Sequence, residues 1–212
     1  MITGLILAAA TAATDPAAPR SPDIFGMEIG QPLPYAECPP YTDAKGRIPK
    51  RSTSPYTSSL YAYGRPADRS PCYYRNQKQG TDEPLGPYES VQVHFPQPLQ
   101  VATGPIGVTV NGGRIVSIGM ETRGEVFQDT DVEVLTGKYG PPKEIEREVM
   151  QNGFGAKFIR IRATWDFGGG VLGRYFGFRD TRDKGAFNLS TADDRAESDR
   201  QMQRLINYGR KL

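Results

Sequence analysis

The chain has 212 residues, 26 Lys+Arg against 24 Asp+Glu, and 37% hydrophobic residues. That supports one modest core of about 100–150 residues, and a net charge of +2 excludes a strongly basic nucleic-acid arm or an acidic tail as the global theme. One histidine excludes a histidine-rich metal centre, two cysteines exclude a four-cysteine zinc site within one chain, and 24 glycines with 18 prolines argue against a helical bundle.

The chain opens with an apolar run of small residues, Leu5 to Ala13, containing Ala10-Thr11-Ala12. The run is as long as the apolar part of a signal peptide and too short to span a bilayer, so residues 1–13 are expected to be a signal peptide. No other stretch approaches the length of a transmembrane span. Sixteen of the 18 prolines follow between Pro16 and Pro105. Each proline inside a helix costs about 3 kcal/mol, so this part holds no long helix. Residues 14–87 therefore read as an irregular Pro/Tyr-rich region. Cys38 and Cys72 bracket much of it and are expected to form a disulfide, which requires an oxidising compartment. Closing a loop of that size is worth about 3–4 kcal/mol. The expected setting is the periplasm or the secreted medium.

From residue 88 to 190 the pattern predicts an α+β core. Tyr88 to Phe95 alternates as a strand, with Val91, Val93 and Phe95 on one face and His94 on the other. Gly107–Val110 and Arg114–Glu121 flank Asn111-Gly112-Gly113, a hairpin signal. Val116, Ile118 and Met120 are expected to share the buried face of the second strand. Leu135 to Tyr139 has helical spacing, Asp129 and Asp131 suit the first turn, and Gly140-Pro141-Pro142 ends the helix. In Lys157–Phe167, Ile159, Ile161, Ala163 and Trp165 alternate with Phe158, Arg160, Arg162 and Thr164, as in a half-buried antiparallel strand. Gly168-Gly169-Gly170 is the expected turn into a strand over Val171–Phe178. Residues 191–212 read as a C-terminal helix capped by Thr191 or Asp193, with Met202, Leu205 and Ile206 as an apolar stripe. The expected fold is an antiparallel sheet with one helix packed on a face.

A helix ending in Leu135-Thr136-Gly137-Lys138-Tyr139-Gly140-Pro141-Pro142, then a strand bearing Ala163-Thr164-Trp165, resembles small exported α+β domains of the bacterial envelope. These are the outer-membrane assembly accessory lipoproteins and the β-lactamase-inhibitor-like fold, and the likeness covers roughly residues 108–180. The lipid-attachment cysteine of those lipoproteins has no counterpart close after the apolar run. The resemblance implies protein binding or envelope upkeep and no catalysis.

Catalytic motifs are weak. His94 reads as an outward strand residue, and no G-x-S-x-G accompanies it. Asp166-Phe167-Gly168 lacks the phosphate loop and catalytic loop that would make it a kinase motif. Asp129, Asp131 and Glu133 have acidic 1,3,5 spacing, but Val134 and Gly140 stand where a calcium loop needs Gly and Glu. The leading expectation is a non-catalytic exported protein, without cofactor or metal, that binds an envelope protein or cell-surface component. Its expected contact residues are Tyr56, Tyr61, Tyr63, Tyr73 and Tyr74, because tyrosine offers large contact area at low entropy cost. One alternative is a cell-wall glycan hydrolase using a carboxylate pair among Glu121, Glu125, Asp129 and Asp131. The other is a nucleic-acid binder using Arg160 and Arg162 beside Phe158, although no nucleic acid is expected at a pI of 8.5.

Overall fold

A computed structural model of the chain describes residues 22–39, 69–75, 85–97, 99–151 and 153–209. A short hairpin opens it, β1 (Asp23–Ile24) and β2 (Met27–Glu28). Then come β3 (Cys72–Arg75), β4 (Glu89–His94), β5 (Ile106–Asn111) and β6 (Arg114–Thr122). A single 3₁₀ turn (Glu125–Phe127) leads into α1 (Gln128–Tyr139). β7 (Glu144–Gln151), β8 (Lys157–Asp166), β9 (Leu172–Phe176) and β10 (Gly185–Ser190) precede α2 (Ala192–Gly209). The fold is α+β. β3 to β10 form one antiparallel sheet in the order β3-β4-β5-β6-β10-β9-β8-β7.

Strand parity gives the sheet two different faces. Across the inner face, Val91, Val108, Ile118, Leu189, Gly173 and Trp165 are successive cross-strand neighbours. Met120, Phe187, Tyr175 and Ala163 form the row beside them. These side chains are buried, and each large aliphatic or Phe side chain withdrawn from water contributes about 1.5–3 kcal/mol. Gly173 leaves the space its neighbours need: a Cβ there would lie 3.0 Å from the Phe167 ring and 3.2 Å from Leu189.

The inner face is covered by α1 and by the β1–β2 hairpin, whose Ile24, Met27 and Ile29 join the same core. The Tyr139 hydroxyl donates to the Asp23 carbonyl at 2.6 Å, and Lys138 pairs with the Asp23 carboxylate at 3.0 Å. α1 buries only Gln128, Asp131 and Leu135. Two of those three are polar, and each is matched to partners. The Gln128 amide donates to the Ile159 carbonyl (2.8 Å) and accepts from the Ile161 amide (2.9 Å). It thereby continues the β8 ladder beyond Arg162–Phe176, the last β8–β9 pair. Arg123 donates through Nε and Nη2 to Oδ1 of the fully buried Asp131, the Nε contact at 3.1 Å. The Tyr175 hydroxyl lies 3.4 Å from the same carboxylate. Burial first, then the Asp131 charge, raises the Tyr175 hydroxyl above the ordinary tyrosine range.

Several expectations are met as drawn. Asn111 and Arg114 pair around Gly112-Gly113, whose φ values of 57° and 78° fit the two-residue turn. Gly140 (φ 82°) ends α1 before the prolines. Thr191 caps α2, its Oγ1 accepting from the Asp194 amide at 3.1 Å. The stripe of Met202, Leu205 and Ile206 lies outside the described side chains.

Three departures have physical causes. A bulge between Thr109 and Val110 shifts the β5–β6 register, so Ile115 enters the core and Val116 is half-buried. Asp131 is not a solvated first-turn acid, because Arg123 and Tyr175 meet it in the interior. Ile159 is 45% exposed although Ile161, Ala163 and Trp165 on its face are buried, because the sheet extends past the covering layer there.

The expected Cys38–Cys72 disulfide is present, with Cα atoms 5.0 Å apart. It fastens residues 36–38 to the outer edge of β3: the Cys38 amide donates to the Tyr73 carbonyl (2.7 Å), and the Tyr73 amide to that of Ala36 (3.0 Å). Buried Arg75 reinforces this seam, 3.4 Å from Glu37 and 3.5 Å from Glu89. Among the described residues no helix is long and apolar enough to cross a membrane.

Candidate functional site

Among the described residues, those nominated from sequence do not converge. Tyr74 is 2% exposed and bonds to Gln92, and burial pushes its hydroxyl up to about 12. Tyr73, its neighbour in β3, faces the opposite side, half-buried against the core. Tyr74 therefore packs β3 onto the sheet and drops out of the expected contact surface. Tyr56, Tyr61 and Tyr63 lie outside the described residues. The four acids of the glycan-hydrolase reading are each engaged by a different cation: Glu121 by Lys184, Glu125 by Arg182, Asp129 by Arg147 and Asp131 by Arg123. No group of three or more metal-ligating side chains occurs among the described residues.

The basic strand face is real, but its arginines are occupied. Arg160 bonds twice to Glu148 and sits 5.7 Å above the Phe178 ring. Arg162 lies 3.6 Å from Glu146 and 5.4 Å above the Phe176 ring. Phe158 carries Arg182 at 5.0 Å and meets Phe178 edge-on at 5.5 Å. Each stack is worth about 0.5–1 kcal/mol at an exposed site. Together they form an arginine–aromatic surface on the outer face of β8 and β9.

Beside that surface is a cleft of about 670 Å³. Its floor follows strand parity: Asn188 faces Arg174 on one side and Gly119 on the other, and Ser117 faces Ser190. The Asn188 amide donates to Ser117 Oγ at 3.3 Å. The first turns of α2 supply one wall, and Arg195 anchors them by donating to the carbonyls of Ser190 (2.7 Å) and Gly170 (3.0 Å). Burial, and then the nearby Arg174 charge, lowers Arg195 from the ordinary arginine range. Asp194 turns under the helix to accept from Ser117, and burial holds its carboxyl above the usual range against that bond and Arg195.

Four arginines line the cleft (Arg160, Arg174, Arg179, Arg195) with three aspartates (Asp180, Asp194, Asp199). Glu148, outside this described lining, bonds to Arg160. Arg174 and Arg179 are exposed, and neither side chain has an acidic or carbonyl partner among the described residues. Sequence reasoning named neither one. Arg174 could have been found by parity, since it stands opposite Thr164 on the face that carries Arg160 and Arg162. Arg179 lies beyond the end of β9 and carries no periodic signal.

Compared with protein-family models, with curated proteins and with solved structures, the chain gives no match.

Proposed function

We propose that this chain is a non-catalytic protein of an oxidising compartment, periplasmic or secreted, that binds a partner protein of the envelope through the outer face of its sheet. One observation carries the reading: an open cleft floored by the sheet, with arginine and phenylalanine in its lining, mixed in charge, and with two arginines that have no acidic or carbonyl partner among the described residues. Arginine and aromatic side chains are the residues enriched where proteins meet proteins. The mixed charge of the described lining weighs against a polyanion, because nucleic acid and anionic membrane surfaces select uniformly basic faces. The Cys38–Cys72 bond supports the compartment, since structural disulfides persist outside the reducing cytoplasm. The likeness to envelope α+β domains rests on the turn and strand quoted above and points the same way.

The test is site-specific photocrosslinking in the native host. A benzophenone amino acid replaces Asp180 or Ser198, exposed positions that line the cleft and leave Arg174 and Arg179 in place, and a control position, Thr103, lies outside the residues lining the cleft. The proposal expects one discrete protein adduct from the cleft positions and none from Thr103. Adducts to lipid or nucleic acid, or no adduct, would contradict it. Intact mass after alkylation without reduction checks the compartment: a protein from an oxidising setting shows no alkylated cysteine.

A further inference from the structure

The two edges of the eight-stranded sheet are treated differently. At β3, residues 36–38 are bonded to the outer backbone and held there by the disulfide. At the other end, β7 runs for eight residues with no strand on its outer side among the described residues. An unpaired edge offers a row of backbone N–H and C=O groups to any extended segment. Beside this one lies apolar surface: Ile145 and Val149 on the inner face are 50% and 66% exposed, and Ile159 flanks Val149.

Charge on β7 is the usual defence of an edge, but here it is largely engaged inward. Glu148 is bonded to Arg160, Glu146 lies 3.6 Å from Arg162, and Arg147 pairs with Asp129 at 2.7 Å. The cations of Glu146 and Glu148 stand one strand further in, and Glu144 faces Thr164, so an arriving strand meets the row of Glu144, Glu146 and Glu148 first. A second copy of the chain fits poorly. Antiparallel self-pairing centred on Arg147 sets Arg147 against itself and Glu146 against Glu148, centring it on Glu148 sets Glu148 against itself, and centring it on Val149, which opposes no like charges, pairs only Arg147 to Gln151 and leaves Glu144 to Glu146 without a β7 partner. Like charges directly opposite are unfavourable.

We infer that β7 accepts, as a ninth strand, an extended segment of a partner protein in which Lys or Arg alternates with Val, Ile or Leu. The basic residues lie against the glutamate row and the apolar ones continue the inner face beyond Ile145 and Val149. Backbone hydrogen bonds supply affinity and the alternation supplies register. This inference is independent of the outer-face cleft.

The probe is a seven-residue peptide, acetyl-Lys-Val-Lys-Leu-Lys-Val-Lys-amide, titrated into the isotope-labelled full chain and followed by backbone amide shifts. Controls are the same composition in blocked order, the Glu-for-Lys version, and two versions N-methylated on alternate residues, one for each edge of the peptide. Shifts are expected to concentrate on Glu144–Gln151. The blocked and acidic peptides should bind at least ten-fold more weakly, one N-methylated version should lose binding, and Glu144→Lys should weaken the parent peptide about three-fold. Equal binding by the blocked peptide, shifts confined to other strands, or no shifts at all would overturn the inference. So would concentration-dependent dimerisation in sedimentation with the same β7 amides perturbed, because the edge would then serve a second copy.

Discussion

Replacing Gln128 with Ala tests how α1 is joined to the sheet. The Gln128 amide stands where β9 no longer reaches, pairing the Ile159 carbonyl and the Ile161 amide. Removing it leaves the Ile161 N–H buried without a partner, at about 1–3 kcal/mol, and costs the exposed-side bond to Ile159 about another 1 kcal/mol. The expected loss is about 2–4 kcal/mol, or roughly 4–16 °C in thermal midpoint for a domain of this size. The amide also explains Gly177, where a Cβ would lie 2.0 Å from Gln128 Oε1. Gly177→Ala should therefore be nearly as damaging as Gln128→Ala, and the double variant should be more stable than the sum of the two predicts. Gln128→Glu keeps the acceptor but turns a carboxylate toward the Ile159 carbonyl. Burial raises its folded pKa above the unfolded value. Its stability should match wild type most closely at low pH, where it is protonated, and fall away as pH rises through that folded pKa. The assay is urea unfolding followed by fluorescence of the single tryptophan, Trp165, which is buried. Additive losses in the double variant, or no pH dependence for Gln128→Glu relative to wild type, would refute the reasoning.

Three further perturbations follow from the same contacts. Cys38→Ser with Cys72→Ser should lower stability by about 3–4 kcal/mol, for a loop with a sequence separation of 34; hydrogen exchange should show Tyr73 deprotected first, and unchanged protection there would show that residues 36–38 hold without the bond. Asp131→Ala removes the buried carboxylate that accepts from the partly exposed Arg123 and should cost about 2 kcal/mol by urea unfolding, whereas a loss under 1 kcal/mol would mean the pair is not the anchor of α1. Asp194→Asn should stabilise the fold at neutral pH and not at pH 3: burial raises the Asp194 pKa, so its favourable contribution is present when protonated and lost as pH rises through that value; thermal melts across pH that show the variant equally displaced at pH 3 and 7 would contradict this.

The central layout was legible because its signals are local. The Asn111-Gly112-Gly113 turn, the Gly140 stop, the alternation in β4 and β8 and the cysteine pair each declare themselves within a few residues. Three strands of the eight-stranded sheet did not. β10 is short, begins at Gly185 and turns Asn188 and the half-buried Ala186 outward, so its alternation carries little contrast, yet it sits mid-sheet between β6 and β9. β7 reads Glu-Ile-Glu-Arg-Glu-Val-Met-Gln and buries no side chain fully, so burial periodicity could not mark it. β3 follows Pro71 inside a Pro-rich stretch and exists because β4 pairs with it. The site was harder still. Arg160 and Arg162 were visible as a basic face, but the glutamates of β7 that neutralise them belong to an unread strand. Arg174 acquires meaning only once β10 places Asn188 beside it and α2 closes the wall. Asp131 looked like a helix-dipole acid because nothing local shows that Arg123, eight residues earlier, folds back over it.

The most direct measurement is the affinity of the crosslinked partner for the purified wild-type chain and for Arg174→Ala with Arg179→Ala, by calorimetry at physiological salt. The account predicts at least a 30-fold loss, the scale of an interface hot spot of about 2 kcal/mol. The thermal midpoint should stay within about 1 °C, since neither side chain has an acidic or carbonyl partner among the described residues. An unchanged affinity with an unchanged midpoint would contradict the claim that this protein meets its partner through the outer-face cleft.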